Sequence, residues 1–182
     1  MEEKMNANEL LLRAVSGEIE AFNMLMRENY KRIFNFVNRM VRDPDKSDDI
    51  TQEVFLKVYL NKNKFRPESD FYSWIYKIAT NQVLKHFSKE RVIKKLLLNF
   101  KDKIPSNGNI VTENIDISKY FKHLKPKERV AIQLIKYEGY SYEEAAKLMN
   151  SSVGAVKTYV HRGVMKLKKL IGEGKNDLQG EI

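Results

Sequence analysis

From Glu18 to Val41 the apolar residues Phe22, Leu25, Met26, Tyr30, Ile33, Val37, Met40 and Val41 recur at steps of three and four. That spacing lines one face of a helix, whereas a half-buried strand would alternate. The period returns in Ile50, Val54 and Val58, and again in Phe71, Trp74, Ile75, Ile78, Ala79 and Val83. Strand-like alternation is hard to find anywhere, and only four prolines and eight glycines punctuate 182 residues. The expected fold is all α.

Breaks in the pattern divide the chain. Asp43-Pro44-Asp45 ends the first helix, because proline cannot continue it and aspartate suits turns and caps. Asp45 is then the expected N-cap of a helix from Lys46 to Leu60. Arg66-Pro67-Glu68-Ser69 reads as a loop, with Ser69 or Asp70 capping the third helix. These helices can bury a core of their own. A basic stretch from Lys89 to Lys103 leads into Pro105-Ser106-Asn107-Gly108-Asn109, the clearest linker in the sequence. Two small helical domains are therefore expected, 1–91 and 112–182, joined by a flexible linker over 92–111. In the second, Thr112 to Leu124 reads as a helix. Pro126 opens the next at its first position, and Gly139 suits a left-handed cap at its end.

The sharpest local pattern lies between Ser141 and Leu170. Ser141 and Glu144 have the spacing of a capping box, followed by the small residues Ala145 and Ala146. Asn150-Ser151 makes a tight turn, since asparagine tolerates the left-handed region. Ser152 caps a helix whose inner face is Val153, Val156, Val160 and Leu167. This is a helix-turn-helix. Its second helix offers Ala155, Lys157, Thr158, Tyr159, His161 and Arg162 outward, groups able to meet phosphates, base edges and thymine methyls. The plainer alternative is an αα-hairpin with a solvated basic face.

Charge favours the first reading. The net charge is +9 with a sequence pI near 9.5, which points to a polyanionic partner. Cysteine is absent, which rules out disulfides and thiolate zinc sites. No apolar run approaches a membrane span and the first residues do not form a signal peptide, so a cytoplasmic protein without membrane contact is expected.

Leu124-Lys125-Pro126-Lys127-Glu128-Arg129, Gly139-Tyr140-Ser141-Tyr142-Glu143-Glu144-Ala145-Ala146 and Ser152-Val153-Gly154-Ala155-Val156-Lys157-Thr158 together resemble region four of extracytoplasmic-function sigma factors. Independently, Asp48-Asp49-Ile50-Thr51-Gln52-Glu53-Val54-Phe55 resembles the part of region two that docks on the polymerase clamp. Phe65-Arg66 and Phe71-Tyr72-Ser73-Trp74-Ile75-Tyr76-Lys77-Ile78-Ala79-Thr80-Asn81 resemble its promoter-melting part. The matches stand in the family's order and cover most of residues 18–171.

The resemblance implies a transcription initiation factor with no catalytic residue and no cofactor. Asp48, Asp49, Gln52, Glu53 and Phe55 would contact core RNA polymerase, on the clamp of its largest subunit, with a further contact to the flap. Phe65, Arg66, Trp74, Lys77 and Asn81 would engage the melted downstream promoter element. Ser152, Ala155, Lys157, Thr158, His161 and Arg162 would read the upstream element as duplex. The partners implied are core polymerase, promoter DNA and an anti-sigma factor. Asp49, Gln52, Glu53 and Leu56 do share one helix face by spacing, opposite Ile50, Val54 and Val58. Two readings of Trp74 stay open, base capture and core. Ala155 and Tyr159 depart from the family's common threonine and basic residue, which leaves the upstream sequence open. The linker is too short for a region three.

Two other classes compete. A conventional operator-binding regulator leaves the segments at Asp48–Phe55 and Phe71–Asn81 unexplained. A metal-dependent nuclease built on Asp48, Asp49 and Glu53 fits poorly, because adjacent aspartates diverge by about 100° on a helix. His86, His123 and His161 also lack ligand spacing.

Overall fold

The computed structural model describes residues 6–98 and 117–177, and among them every regular element is helical. The Pro105–Asn109 linker and the start of the helix expected from Thr112 lie outside the described residues.

The first domain has four helices. Helix α1 (Ala7–Val15) was not expected from the sequence. The side chain of Asn6 caps it by accepting from Glu9 N at 2.9 Å, and Leu10, Leu11 and Ala14 are buried. Gly17, at φ 100°, turns the chain into α2 (Ile19–Val41), whose expected stripe is buried at Phe22, Leu25, Ile33, Val37 and Met40. Arg42 ends α2 in the left-handed conformation. Helix α3 (Pro44–Asn61) starts earlier than the spacing suggested: Asp43, not Asp45, is its cap, accepting from Lys46 N, and Pro44 takes the first position. A 3₁₀ turn (Lys62–Lys64) and a loop lead to α4 (Phe71–Leu98). Asp70 caps α4 by accepting from Ser73 N at 2.7 Å, which decides between the two candidates. Helix α4 continues past residue 91, so the linker assigned to 92–111 begins as helix.

The second domain opens with a 3₁₀ turn over Ile117–His123, where a regular helix was expected. Helix α5 (Pro126–Ile132) widens into a π-turn at Gln133–Tyr137 before Gly139, whose φ of 77° is the expected left-handed cap. Helices α6 (Tyr142–Leu148) and α7 (Val153–Asp177) form the helix-turn-helix, with Asn150 left-handed at φ 46° in the turn. The capping box is present: Ser141 N donates to Glu144 Oε2 at 2.8 Å and Glu144 N to Ser141 Oγ at 3.2 Å. Gly163 lets α7 close on α5. A Cβ there would lie 2.5 Å from Ile132 Cδ1.

The domains share one apolar core along a seam between α4 and α2 on one side and α5 and α6 on the other. Tyr76 of α4 is fully buried there, edge-on to Phe36 at 4.9 Å and to Tyr140 at 5.7 Å. Its phenol donates to Glu138 Oε2 at 2.5 Å and accepts from Arg32 Nε at 3.1 Å. The i→i−5 bond of the π-turn, Glu138 N to Gln133 O, sets this up, and Gln133 Nε2 donates to the second carboxylate oxygen at 2.9 Å. Burial, helped by the Glu138 hydrogen bond, pushes the Tyr76 phenol far above its ordinary value. Arg129 crosses the same seam. It donates to Met40 O at 2.7 Å, satisfying a terminal carbonyl of α2, and lies 5.0 Å over the Phe87 ring.

Glu128 ties α5 to α7. It is 3% exposed, accepts from Lys166 Nζ at 2.8 Å and from Lys125 N at 2.9 Å. Burial pushes its carboxyl up, but those two donors outweigh it and hold the value below the ordinary 4.5. A depressed carboxylate stabilises the fold above its unfolded value and loses that contribution as pH falls through the lower folded value. Thermal melts as a function of pH should therefore show an acid-side loss of stability that is shallower in Glu128→Gln. An unchanged acid limb would show that this carboxylate is not a source of it.

Candidate nucleic-acid interface

Three of the five residues expected to engage unpaired DNA meet in one place. Trp74, Lys77 and Asn81 of α4 line a pocket of about 360 Å³, faced by Lys57, Asn61 and Lys64 from the end of α3 and the following turn, with Ile78 and Gln82 beside them. Lys77 and Asn81 are exposed and Trp74 is half-buried: its indole packs on Phe65 and also lines the pocket. Phe65 does not line it. It is 7% exposed and packs behind Trp74, with ring centroids 5.3 Å apart, so it supports the indole from the core. Arg66 is exposed on the loop, outside the pocket lining.

Helix α1 holds this region in place. Asn8 Nδ2 donates to Ser69 O at 2.7 Å, and Asn8 Oδ1 accepts from Phe71 N at 2.9 Å, so one amide clamps the loop to the start of α4. Asn61 works similarly at the opposite wall: it donates to Lys57 O and accepts from Lys64 Nζ at 3.0 Å. An aromatic face, three lysines and several amides around a space of this size can hold a stacked base and its phosphates.

The second surface is α7. Ser152 spends its hydroxyl as the cap, accepting from Ala155 N at 3.2 Å. Lys157, Thr158, His161 and Arg162 are exposed and Ala155 is half-buried. Thr158 donates back to Gly154 O at 2.9 Å, which turns its methyl away from that bond. Val156, Val160 and Leu167 form the buried face as expected, while Val153 is only half-buried. Arg162 and Tyr159 also line a cleft of about 760 Å³ that separates α7 from Leu84 and Phe87 of α4.

The third surface is α3, and here the structure corrects part of the expectation. Phe55 is 2% exposed and stacks on Tyr30 at 5.9 Å, so it belongs to the core and cannot touch a partner in this fold. Asp48 is half-buried. It accepts from the Tyr30 phenol and, at 2.6 Å, from Gln52 Nε2. Burial and then the Asp48 contact raise the Tyr30 pKa to about 12. Asp48 thus holds Gln52 in place, while Asp49, Gln52 and Glu53 are exposed. Leu56 and Leu60 continue that face with 56% and 68% exposure. Leu60 escaped the sequence reading, although its i+4 spacing from Leu56 would have found it. Among the described residues no three acidic or histidine side chains converge as a metal site would require, and no helix is long and apolar enough to cross a membrane.

Comparison with known proteins adds independent findings. Residues 25–92 match the family model Sigma-70 region 2, and residues 115–167 match Sigma-70, region 4. The chain is 29% identical over 161 residues to the RNA polymerase sigma factor CarQ of Myxococcus xanthus, spanning 86% of this chain and 92% of that one. It is 28% identical over 177 residues to the ECF RNA polymerase sigma-E factor of Escherichia coli strain K12, spanning 89% and 92%. Its fold is similar to CnrH solved with the cytosolic domain of CnrY (TM-score 0.67, 22% identity, 92% of this chain and 99% of that one). It is also similar to the sigma factor RpoE of Bartonella quintana solved with the anti-sigma factor NepR (TM-score 0.66, 23% identity, 83% and 96%).

The division of α3 into a buried and an exposed face is open to a direct check by urea denaturation. Phe55→Ala should cost about 3–5 kcal/mol. Leu60→Asp should change stability by no more than about 0.5 kcal/mol. Equal losses would contradict the division.

Proposed function

The chain belongs to the sigma-70 family, as an RNA polymerase sigma factor of the extracytoplasmic-function type, and from that premise we propose how its surfaces divide the work of opening a promoter. It binds core polymerase and directs initiation at particular promoters, reading the upstream, −35, element as duplex and melting the downstream, −10, element. The observation that carries the division of labour is that its three surfaces are separate and differently equipped: acidic and apolar on α3, aromatic and amide-rich at the α4 pocket, basic on α7.

The exposed Asp49, Gln52 and Glu53, flanked by Leu56 and Leu60, suit a basic protein surface with an apolar centre, which in this reading is the clamp of the largest subunit. The α4 pocket takes a base unstacked from the downstream element. Trp74 supplies a face to stack on, and Lys57, Lys64 and Lys77 surround it with positive charge for the phosphates. Helix α7 enters the major groove of the upstream element with Lys157, His161 and Arg162 forward, while the second domain rests on the polymerase flap. An anti-sigma factor is a regulator in keeping with this scheme, and the protein works where the chromosome is, in the cytoplasm.

The closed seam must part for this to happen. Elements about 25 positions apart lie about 85 Å apart at ~3.4 Å per base pair. A compact chain of this length has a radius of gyration of about 16 Å. Only separated domains reach both elements, and the 92–111 linker then tethers the second contact once the first is made.

Core-binding assays and run-off transcription test the scheme. Replacing Gln52 and Glu53 together by alanine should weaken core affinity by about thirtyfold or more, the scale of a lost hot spot. Lys157→Ala or Arg162→Ala should leave core affinity intact and weaken promoter binding by about 1–3 kcal/mol where the residue contacts a base. Undiminished core affinity in the first variant would move the docking face elsewhere. Undiminished promoter use in both single variants would remove α7 as the reader.

A further inference from the structure

The cleft between α4 and α7 carries more positive charge than the fold uses. Its α4 wall is a single helix stripe, Leu84, Phe87, Ser88 and Arg91, at steps of three and four. The opposite wall comes from Lys125–Glu128 at the start of α5 and from Tyr159 and Arg162 of α7. Two lining groups are carboxylates, and both are engaged: Glu90 accepts from Lys46 Nζ at 3.2 Å and Glu128 from Lys166 Nζ at 2.8 Å. The cations of the lining, Arg91, Lys125, Lys127 and Arg162, are all exposed, and among the described residues none of them forms a salt bridge. The same walls carry two aromatic rings, each beside a cation. Arg129 lies 5.0 Å over Phe87, and Lys127 Nζ lies 5.7 Å from the Tyr159 centroid.

We infer that this cleft binds a nucleoside polyphosphate and that the bound nucleotide holds the two domains closed. The base lies against the Phe87 and Tyr159 rings, and the phosphates lie among Arg91, Lys125, Lys127 and Arg162. Guanidinium and ammonium groups suit phosphate oxygens, and a polyphosphate matches several unpaired cations where a carboxylic acid brings one charge. The volume, about 760 Å³, falls within the range of small-molecule sites, about 300–1,000 Å³. Each domain supplies one wall, so the ligand meets both only in the closed body. Binding therefore shifts the chain towards that form by the difference in affinity. It also occupies Arg162, a residue given above to the upstream element. This regulatory consequence rests on the reading that the domains part at a promoter, whereas the site itself does not.

The test is equilibrium dialysis of the full-length chain against ATP, GTP, inorganic tripolyphosphate, adenosine and guanosine. At least one nucleotide should saturate a single site, about tenfold or more tighter than tripolyphosphate or its own nucleoside. Arg91→Glu on one wall and Lys127→Glu on the other should each weaken that binding about tenfold or more, with the melting temperature of the ligand-free chain unchanged. Lys31→Glu, an exposed α2 residue outside the lining, should change it less than about threefold, because screening limits distant charges. Preincubation with the nucleotide should then slow assembly of wild type, but not of Arg91→Glu, into a promoter complex with core polymerase. No nucleotide bound, equal affinity for tripolyphosphate, or equal weakening by all three charge reversals overturns the site. Binding as expected, with promoter assembly unaffected in both proteins, overturns the hold on the closed body. Failure of wild type to form a promoter complex even without nucleotide would instead sink the initiation scheme, and that hold with it.

Discussion

Tyr76 is buried completely, and a phenol in that position needs partners; it finds them across the seam in Glu138 and within its own domain in Arg32. Much of the arrangement follows from that contact. It joins two units, each of which has helices enough for a core, into one body. It makes the π-turn after α5 useful, because the extra residue in that turn brings Gln133 and Glu138 together. It also makes α4 the common part of the molecule. The same helix carries Tyr76 into the seam, presents Lys77 and Asn81 to the pocket beside Trp74, and lines the cleft facing α7 with Leu84 and Phe87.

The seam joins the domains by polar bonds as well as by apolar packing. Its specific bonds are polar: a phenol to a carboxylate, a guanidinium to a helix-end carbonyl, and Arg39 placed 3.8 Å from Glu138. Each group can be rehydrated when the domains separate, which offsets part of the cost of exposing the apolar contacts that Tyr76 makes with Phe36 and Tyr140. Gln133 Oε1 is buried in the closed form without a partner, a further small gain on opening. Within the second domain the logic is opposite. Gly163 against Ile132 and the Glu128–Lys166 pair hold α5 and α7 in close packing, which suits a unit that must dock on DNA as a rigid body.

Much of this was legible in the chain itself. The stripe of α2, the capping box at Ser141, the left-handed Asn150 and the helix-turn-helix all depend on contacts a few residues apart, and local chemistry specifies them. The misses have physical reasons. Helix α1 is nine residues long and gains its stability from docking, so its Leu10-Leu11 pair gave little periodicity to read. On α3 the buried face includes Ser47 and Thr51, which bond back to the carbonyls of Asp43 and Ser47 at 2.6 Å and so bury without penalty. The apolar spacing of Ile50, Val54 and Val58 did not extend to that side of the helix, and the family resemblance of the whole Asp48–Phe55 segment carried Phe55 into the expected contact face although it is buried. Phe65, placed at the DNA by resemblance, is buried, and it packs on Trp74, nine residues away, a contact that local sequence does not show. The seam was invisible because Tyr76, Arg129 and Glu138 look like surface residues until their distant partners are known.

The central claim is that one chain alternates between a closed body and a form spread along a promoter. The direct measurement is energy transfer between dyes on two introduced cysteines, at Glu28 on α2 and Lys147 on α6, in a chain that has no cysteine of its own. Transfer should be high in the free protein and fall sharply in the complex with core polymerase and promoter DNA. Equal transfer in the free and promoter-bound states would contradict the account, because the closed body cannot reach both elements.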